Sequence, residues 1–463
     1  MLKETARKRI GEILEHWRGF PNTTLDGHYD FLTQVVVADS IESKHLLEWQ
    51  NNPKNIGLAR KILRVFVHET THWLDHIGTL WGQKNLISIY NAYNAWLKQD
   101  EDEFWRIINL FTEVSQNCFA DYYLFDGPAI EKGWEKRPWR YQFSCGLQFG
   151  INGKVRADRP FMTTRFNSFD GAFIKRVPMS TVSLLETIAT AAEMRLEISL
   201  LFPLLREEMG EENILVESKI FEEYFVKRIY DPNLTAYSVS THCLANFSNM
   251  HDISLAYLLS SALASLCLNL PSKVFSKLEI PSDFIELQDP SVQEVMYDRM
   301  VKMRENQDRS FAFFTLSQKA IKVDSPEDGS FEEHKWLNDL VTIAGLPTLE
   351  ELKSMAVQEM EELNQEIIDG PLSSRLEKIL EAGRFNFSKR NIYGNHKPCI
   401  MSFFSQSQDF LVPPILLGDD VVFDLQSGID TSGRSLKGIE DWVFSIWEIE
   451  SKLREFKRAC FII

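Results

Sequence analysis

Val65-Phe66-Val67-His68-Glu69-Thr70-Thr71-His72-Trp73-Leu74-Asp75-His76 is the stretch around which this chain is organised. It contains His-Glu-x-x-His. On a helix, residues four apart stack on one side, so His68 and His72 present two imidazoles to one metal ion. Glu69 stands one step round, where its carboxylate reaches a water on the metal rather than the metal itself. Two neutral nitrogens, a third protein ligand and a water make the open, catalytic form of a zinc site. Thr70 and Thr71 are uncharged, and Val65, Phe66, Val67, Trp73 and Leu74 make the adjoining turns apolar. A solvated helix does not carry that much apolar surface, so this one is expected to be buried around its polar triplet. Buried imidazoles and carboxylates need partners, and a metal supplies them. The competing reading is a core helix whose histidines bond to other side chains.

The stretch resembles the active-site helix of the zincin metallopeptidases, including their preference for uncharged residues around the motif. The resemblance is strong over about two dozen residues and weak elsewhere. It implies Zn2+ held by His68 and His72, with Glu69 as general base. The metzincin branch has a glycine three residues after the second histidine and a third histidine three further on. Asp75 and Gly78 stand there instead. That leaves a gluzincin-like site, which takes a glutamate from a second helix.

Glu186 is the leading third ligand. It lies in Leu184-Leu185-Glu186-Thr187-Ile188-Ala189-Thr190-Ala191-Ala192-Glu193. A carboxylate between Leu185 and Ile188 is expensive unless paired, and the alanines permit close approach of another helix. The segment also resembles the gluzincin glutamate helix, with Ala189 at the alanine three residues after the ligand. Thr190 replaces the acidic residue that orients a histidine there, and Glu193 is a substitute for that role. Ser183 to Glu186 also fits a capping box, which would occupy Glu186 if the helix began at Ser183. A start at Ser180 or Thr181 leaves Glu186 free. Glu193, Glu113 and His76 stay open as alternatives. His76 ranks last, because three histidines on one straight helix strain a tetrahedral site. Tyr122, Tyr123, Tyr237, His242 and His251 are candidates to stabilise an oxyanion, and Asp75 could accept a hydrogen bond from a ligand histidine.

The acidic balance, net charge −16, argues against a nucleic-acid partner bound through a phosphate-neutralising surface. Cysteines at 118, 145, 243, 267, 399 and 460 form no close pair, which suits a reducing compartment. No apolar signal core follows the charged N-terminal residues. The longest apolar run, 253–270, is short for a span and carries serines, so it reads as a buried helix and no membrane partner is expected. The protein is expected to be cytoplasmic.

Along the chain, 31–40 reads as a strand. The His-Glu helix is expected to start with Asn52 as cap and Pro53 at its first position, and to stop at Gly78. Helices are expected at 84–98 and 101–116. Tyr141 to Val155 reads as a hairpin strand, whose edge could pair with an extended substrate. A long helix from Ser180 should end at Pro203, followed by helices at 211–229 and 252–268. Prolines at 271, 281 and 290 suggest a linker or subdomain over 271–330. Residues 331–382 are helical, Val421 to Leu425 is strand-like, and a last helix is expected over 437–457. The fold class is α+β and predominantly α-helical: a zincin-like domain with a small sheet (1–270), a helical region (271–390) and a mixed C-terminal segment (391–463). The expected function is a zinc metallopeptidase acting on a protein or peptide. A non-catalytic helical interaction protein, or a zinc hydrolase of another bond, are the alternatives.

Overall fold

The computed structural model describes residues 26–98, 139–149, 154–320, 333–390 and 412–424, together with 106, 109, 110, 113, 117, 123, 125, 126 and 428–430. The described chain opens with β1 (His28–Asp30), β2 (Val35–Ala38), α1 (Ser43–Asn51), α2 (Ile56–Gly78) and α3 (Leu80–Leu97). Then come β3 (Phe125–Asp126), β4 (Arg140–Phe149), β5 (Val155–Asn167), β6 (Phe173–Pro178) and α4 (Thr181–Leu196). A π-helical turn (Glu197–Leu201) leads into α5 (Phe202–Met209), α6 (Glu211–Ile229), α7 (Thr235–Ser248) and α8 (Ile253–Leu268). Short helices α9 (Ser272–Phe275) and α10 (Ser282–Glu286) precede α11 (Pro290–Glu305), α12 (Arg309–Gln318), α13 (Glu333–Ile343), α14 (Leu349–Glu362) and α15 (Ser373–Lys389). Strands β7 (Ile415–Leu417), β8 (Val422–Asp424) and β9 (Gly428–Asp430) complete it. The fold is α+β and predominantly helical, as the sequence patterning implies.

The helix α2 is apolar on two faces because it packs on two sides. Ile62, Val65 and Phe66 meet Tyr29, Val36, Ile415 and Leu417 of a sheet ordered β1-β2-β7-β8-β9. Within it β2 and β7 are parallel and the other pairs antiparallel. Ala59, Leu63 and Val67 meet Ala192 and Leu196 of α4. The capping residue of α2 is Asn55, whose Oδ1 accepts the Leu58 amide at 3.1 Å. Asn52 instead follows the last turn of α1, so Pro53 lies between two helices rather than inside the second. The expected strand over 31–40 is shorter and has a partner. A turn centred on Asp30, which accepts from the Leu32 amide and the Thr33 hydroxyl, folds β1 back on β2.

Ser180 caps α4, its Oγ accepting the Ser183 amide at 3.2 Å. The alternative start at Ser183 is thereby removed, and Glu186 lies within the second turn. The helix does not end at Pro203. It passes through the π turn, and Pro203 sits in the first turn of α5, where its missing N–H is tolerated. The hairpin of β4 and β5 forms, in a second sheet ordered β3-β6-β5-β4. The prolines around 271–290 punctuate short helices. One continuous core runs from Ile77 through Leu263, Phe314 and Leu352 to Phe387. The sequence reading did not anticipate α7 as a separate helix. Most of 101–116, and the helix expected at 437–457, lie outside the described residues. Ile253–Leu268 is a buried helix, and no single helix among the described residues is long and apolar enough to cross a membrane.

Candidate metal centre

Helices α2 and α4 run antiparallel, and their polar stripes face one another. From α2 come Arg60, Arg64, His68 and His72, four residues apart; from α4 and the turn beyond it come Glu197, Glu193 and Glu186. Glu197 is fully buried and receives the Arg60 Nε at 2.9 Å and an Arg64 guanidinium nitrogen at 2.7 Å. One level along, His68 Nδ1 donates to Glu193 Oε1 at 2.6 Å. At the far end, Glu186 Oε2 lies 3.2 Å from His68 Nε2 and 3.6 Å from His72 Nε2. Ligand atoms of His68, His72 and Glu186 all lie within 4.8 Å of one another.

These three residues fit a metal ion on two grounds. The first is the donor set: two imidazole nitrogens and a carboxylate oxygen aimed at one buried point are a zinc combination. Ligands about 2.0–2.1 Å from a tetrahedral zinc are about 3.3 Å apart, close to the separations seen here. The second is charge. Burial opposes charge on His68, but its hydrogen bonds to Glu186 and Glu193 and the nearby Glu69 carboxylate outweigh that, pushing it up to about 10. Burial likewise raises the Glu186 carboxyl, yet His72 and His68 pull it down to about 2. The carboxylates around His68 thus favour positive charge there, which a proton or a metal cation supplies.

Glu193 does not share in the triangle, because its carboxylate lies behind His68. Burial raises it; Arg228, whose Nη1 donates to Oε2 at 2.7 Å, and His68 together hold it near 2. An ionised Glu193 fixes the tautomer of His68 and leaves Nε2 for a metal. His76 points elsewhere. Its Nε2 donates to Asn85 Oδ1 at 2.9 Å and its Nδ1 accepts from the Tyr29 hydroxyl at 2.8 Å. Burial lowers it to about 3, so it is neutral. Glu113 lies in a separate polar cleft with Asn117 and Arg159. Asp75 is buried in an ion pair with Arg390, 2.7 Å from Oδ1.

Glu69 faces the cleft. Burial raises its carboxyl above the ordinary range, against the pull of His68 and His72. Gly27, just before β1, presses on it: a Cβ there would stand 3.3 Å from Glu69 Cγ, 2.9 Å from Val65 Cγ1 and 2.7 Å from the Val37 carbonyl oxygen. Only glycine allows that approach. The cleft has a volume of about 980 Å³ and is lined by His68, Glu69 and Glu193 at its base. Asp26 and Gly27, which lead into the edge strand β1, line the cleft as well. The hairpin strand β4, expected to border the site, is the edge of the other sheet and contributes nothing to the cleft lining.

Of the oxyanion candidates, Tyr237 lines the cleft, its ring 6.3 Å from that of His68 and beneath the Arg228 guanidinium. His242 stacks on Trp139 and donates to the Ile229 carbonyl, the Tyr123 hydroxyl accepts from the Phe149 backbone N–H, and His251 is exposed away from the cleft. Tyr122 lies outside the described residues. The sequence reading missed Arg60, Arg64, Glu197, Arg228, Arg390 and Gly27. The four-residue spacing from Arg60 and Arg64 to His68 carried a signal; nothing local distinguished Arg228 or Arg390. Comparison with protein-family models, with curated proteins and with solved structures found no match to this chain.

Proposed function

We propose that this chain is a zinc-dependent metallopeptidase, gluzincin-like in its ligand set, acting on a protein or peptide. The observation that carries the reading is the position of Glu186, which completes a triangle with His68 and His72 beside an open cleft bordered by Glu69. His68, His72 and Glu186 would hold zinc. When bound, the metal supplies Lewis-acid chemistry, polarising a carbonyl and making water acidic enough to ionise near neutral pH. Glu69 takes the proton from the attacking water and delivers it to the leaving amine; its raised carboxyl suits a group that both accepts and returns a proton. Glu193, kept ionised by Arg228, holds the His68 ring in place. Tyr237, whose ring lies beside that of His68 in the cleft, would donate to the developing oxyanion.

Metal analysis and a cleavage comparison test the reading together. Purified protein is expected to hold one zinc per chain, lost in His68→Ala and Glu186→Ala. Glu69→Gln is expected to keep the metal and abolish turnover. A proteome-wide cleavage comparison of the wild type with Glu69→Gln separates peptide hydrolysis from hydrolysis of another bond. Full activity in Glu69→Gln, or a metal-free wild type, would sink the proposal.

A further inference from the structure

The cleft next to Glu69 gathers basic side chains from two helices in a chain that is acidic as a whole. The protein carries 66 acidic against 50 basic residues. The cleft walls carry Arg60, Lys61, Arg64, Lys227 and Arg228 together with Asp26, Asp231, Glu69 and Glu193. The three arginines are held by carboxylates: Arg60 by Glu197 and Glu217, Arg64 by Glu197, Arg228 by Glu193. Lys61 and Lys227 are exposed and make no ion pair among the described residues. They come from different helices, α2 and α6, and both border the same opening. Three tyrosines, 224, 230 and 237, line the same walls and give a peptide apolar surface beside the charge.

From this we infer that the cleft selects polypeptide segments with acidic residues beside the bond to be cut, Lys61 and Lys227 supplying the contacts. The inference rests on the metallopeptidase reading and names its substrate class. Lys61 lies seven residues before His68 on one helix, about 10 Å along its axis. An extended peptide covers that distance in about three residues. The acidic position is therefore set about three residues from the scissile bond. Carboxylates there replace water around two exposed ammonium groups that make no ion pair among the described residues.

The test uses full-length zinc-loaded Glu69→Gln protein and fluorescent peptides in which Asp and Glu are replaced by Asn and Gln. Binding is read by anisotropy. The acidic series is expected to bind about tenfold tighter than its amide counterpart, with the difference shrinking between about 50 and about 200 mM salt. The double variant Lys61→Glu, Lys227→Glu is expected to lose the preference while its melting temperature is unchanged. Equal binding of the two series, or a preference that survives the double variant, overturns the inference. So does an oligonucleotide of equal charge binding as tightly as the acidic peptide, because the cleft would then be a general phosphate surface. The binding preference is read without turnover. Loss of the metallopeptidase reading would appear as absent zinc or absent cleavage, and loss of this inference as absent charge selectivity.

Discussion

Glu193 Oε1 accepts a hydrogen bond from His68 Nδ1 at 2.6 Å, and Arg228 donates to the other oxygen of the same carboxylate at 2.7 Å. The chain Arg228, Glu193, His68 is buried throughout its inner part, so each link fixes the next. Removing Glu193 by substitution with alanine frees the His68 ring and leaves Arg228 facing no carboxylate. Zinc affinity, measured by calorimetric titration, should fall about 10- to 100-fold, as for other groups that orient a metal ligand. Glu186→Ala should fall further, because it removes a ligand. Equal affinities in wild type and Glu193→Ala would show that the ring needs no such support.

Zinc binding should stabilise the fold, because its ligands come from two helices and the unfolded chain lacks the site. At a free zinc concentration of about one hundred times Kd, the gain is about 2.7 kcal/mol. Differential scanning calorimetry of metal-free and zinc-loaded protein measures it. His72→Ala should show no zinc-dependent shift.

Gly27→Ala should impair turnover without removing the metal. The added methyl meets the Val37 carbonyl oxygen, which belongs to a paired strand and has nowhere to go. The start of β1 must shift against Glu69. A displacement of about 1 Å at a reacting group costs about a hundredfold in rate. Zinc content should remain one per chain, and kcat should carry the loss. An unchanged kcat would show that Gly27 only spaces the sheet from the helix.

Acid should destabilise the metal-free protein through two buried neutral histidines. Burial lowers His76 to about 3 and His242 to about 4, below the ordinary imidazole value of 6.5. The unfolded chain therefore binds more protons than the native one between those values. The share of stability that these two imidazoles contribute is complete above pH 6.5 and is lost as the pH falls toward 4, while the share from His68, raised by its glutamates, fades only as the pH rises above 6.5. Each imidazole removes about 1.4 kcal/mol per pH unit well inside that window, up to about 5 kcal/mol for the pair at pH 4.5. Urea unfolding of the metal-free protein between about pH 7.5 and 4.5 reads this directly; a flat profile would contradict it.

The buried pair of Asp75 and Arg390 ties the helix of the two histidines to the end of α15. Asp75→Ala leaves a buried guanidinium without its counter-charge and should cost about 3–5 kcal/mol. Asp75→Leu combined with Arg390→Met should recover much of that, since two apolar groups need no pairing. A double variant as unstable as the single one would point to further work for either residue.

The sequence by itself determined the pieces that depend on local spacing. His68 and His72 fall on one face because they are one helical turn apart, and Glu186 was suspect because a carboxylate among leucines and alanines requires a partner. The same periodicity placed most helices. It misplaced the start of α2, because Asn52 and Asn55 are equally good caps and only the length of α1 chooses between them. It also ended the helical run at Pro203, because a proline in a first turn and a proline at a break look the same in sequence, whereas the run goes on through the π turn into α5. Tertiary structure alone decided which glutamate meets both imidazoles and which stands behind one of them. Glu186 and Glu193 are seven residues apart on one stripe of α4, and their roles follow from where α2 crosses it. The same holds for Arg228, Arg390 and Gly27: each acts on a residue far away in the chain, through contacts that no local pattern encodes.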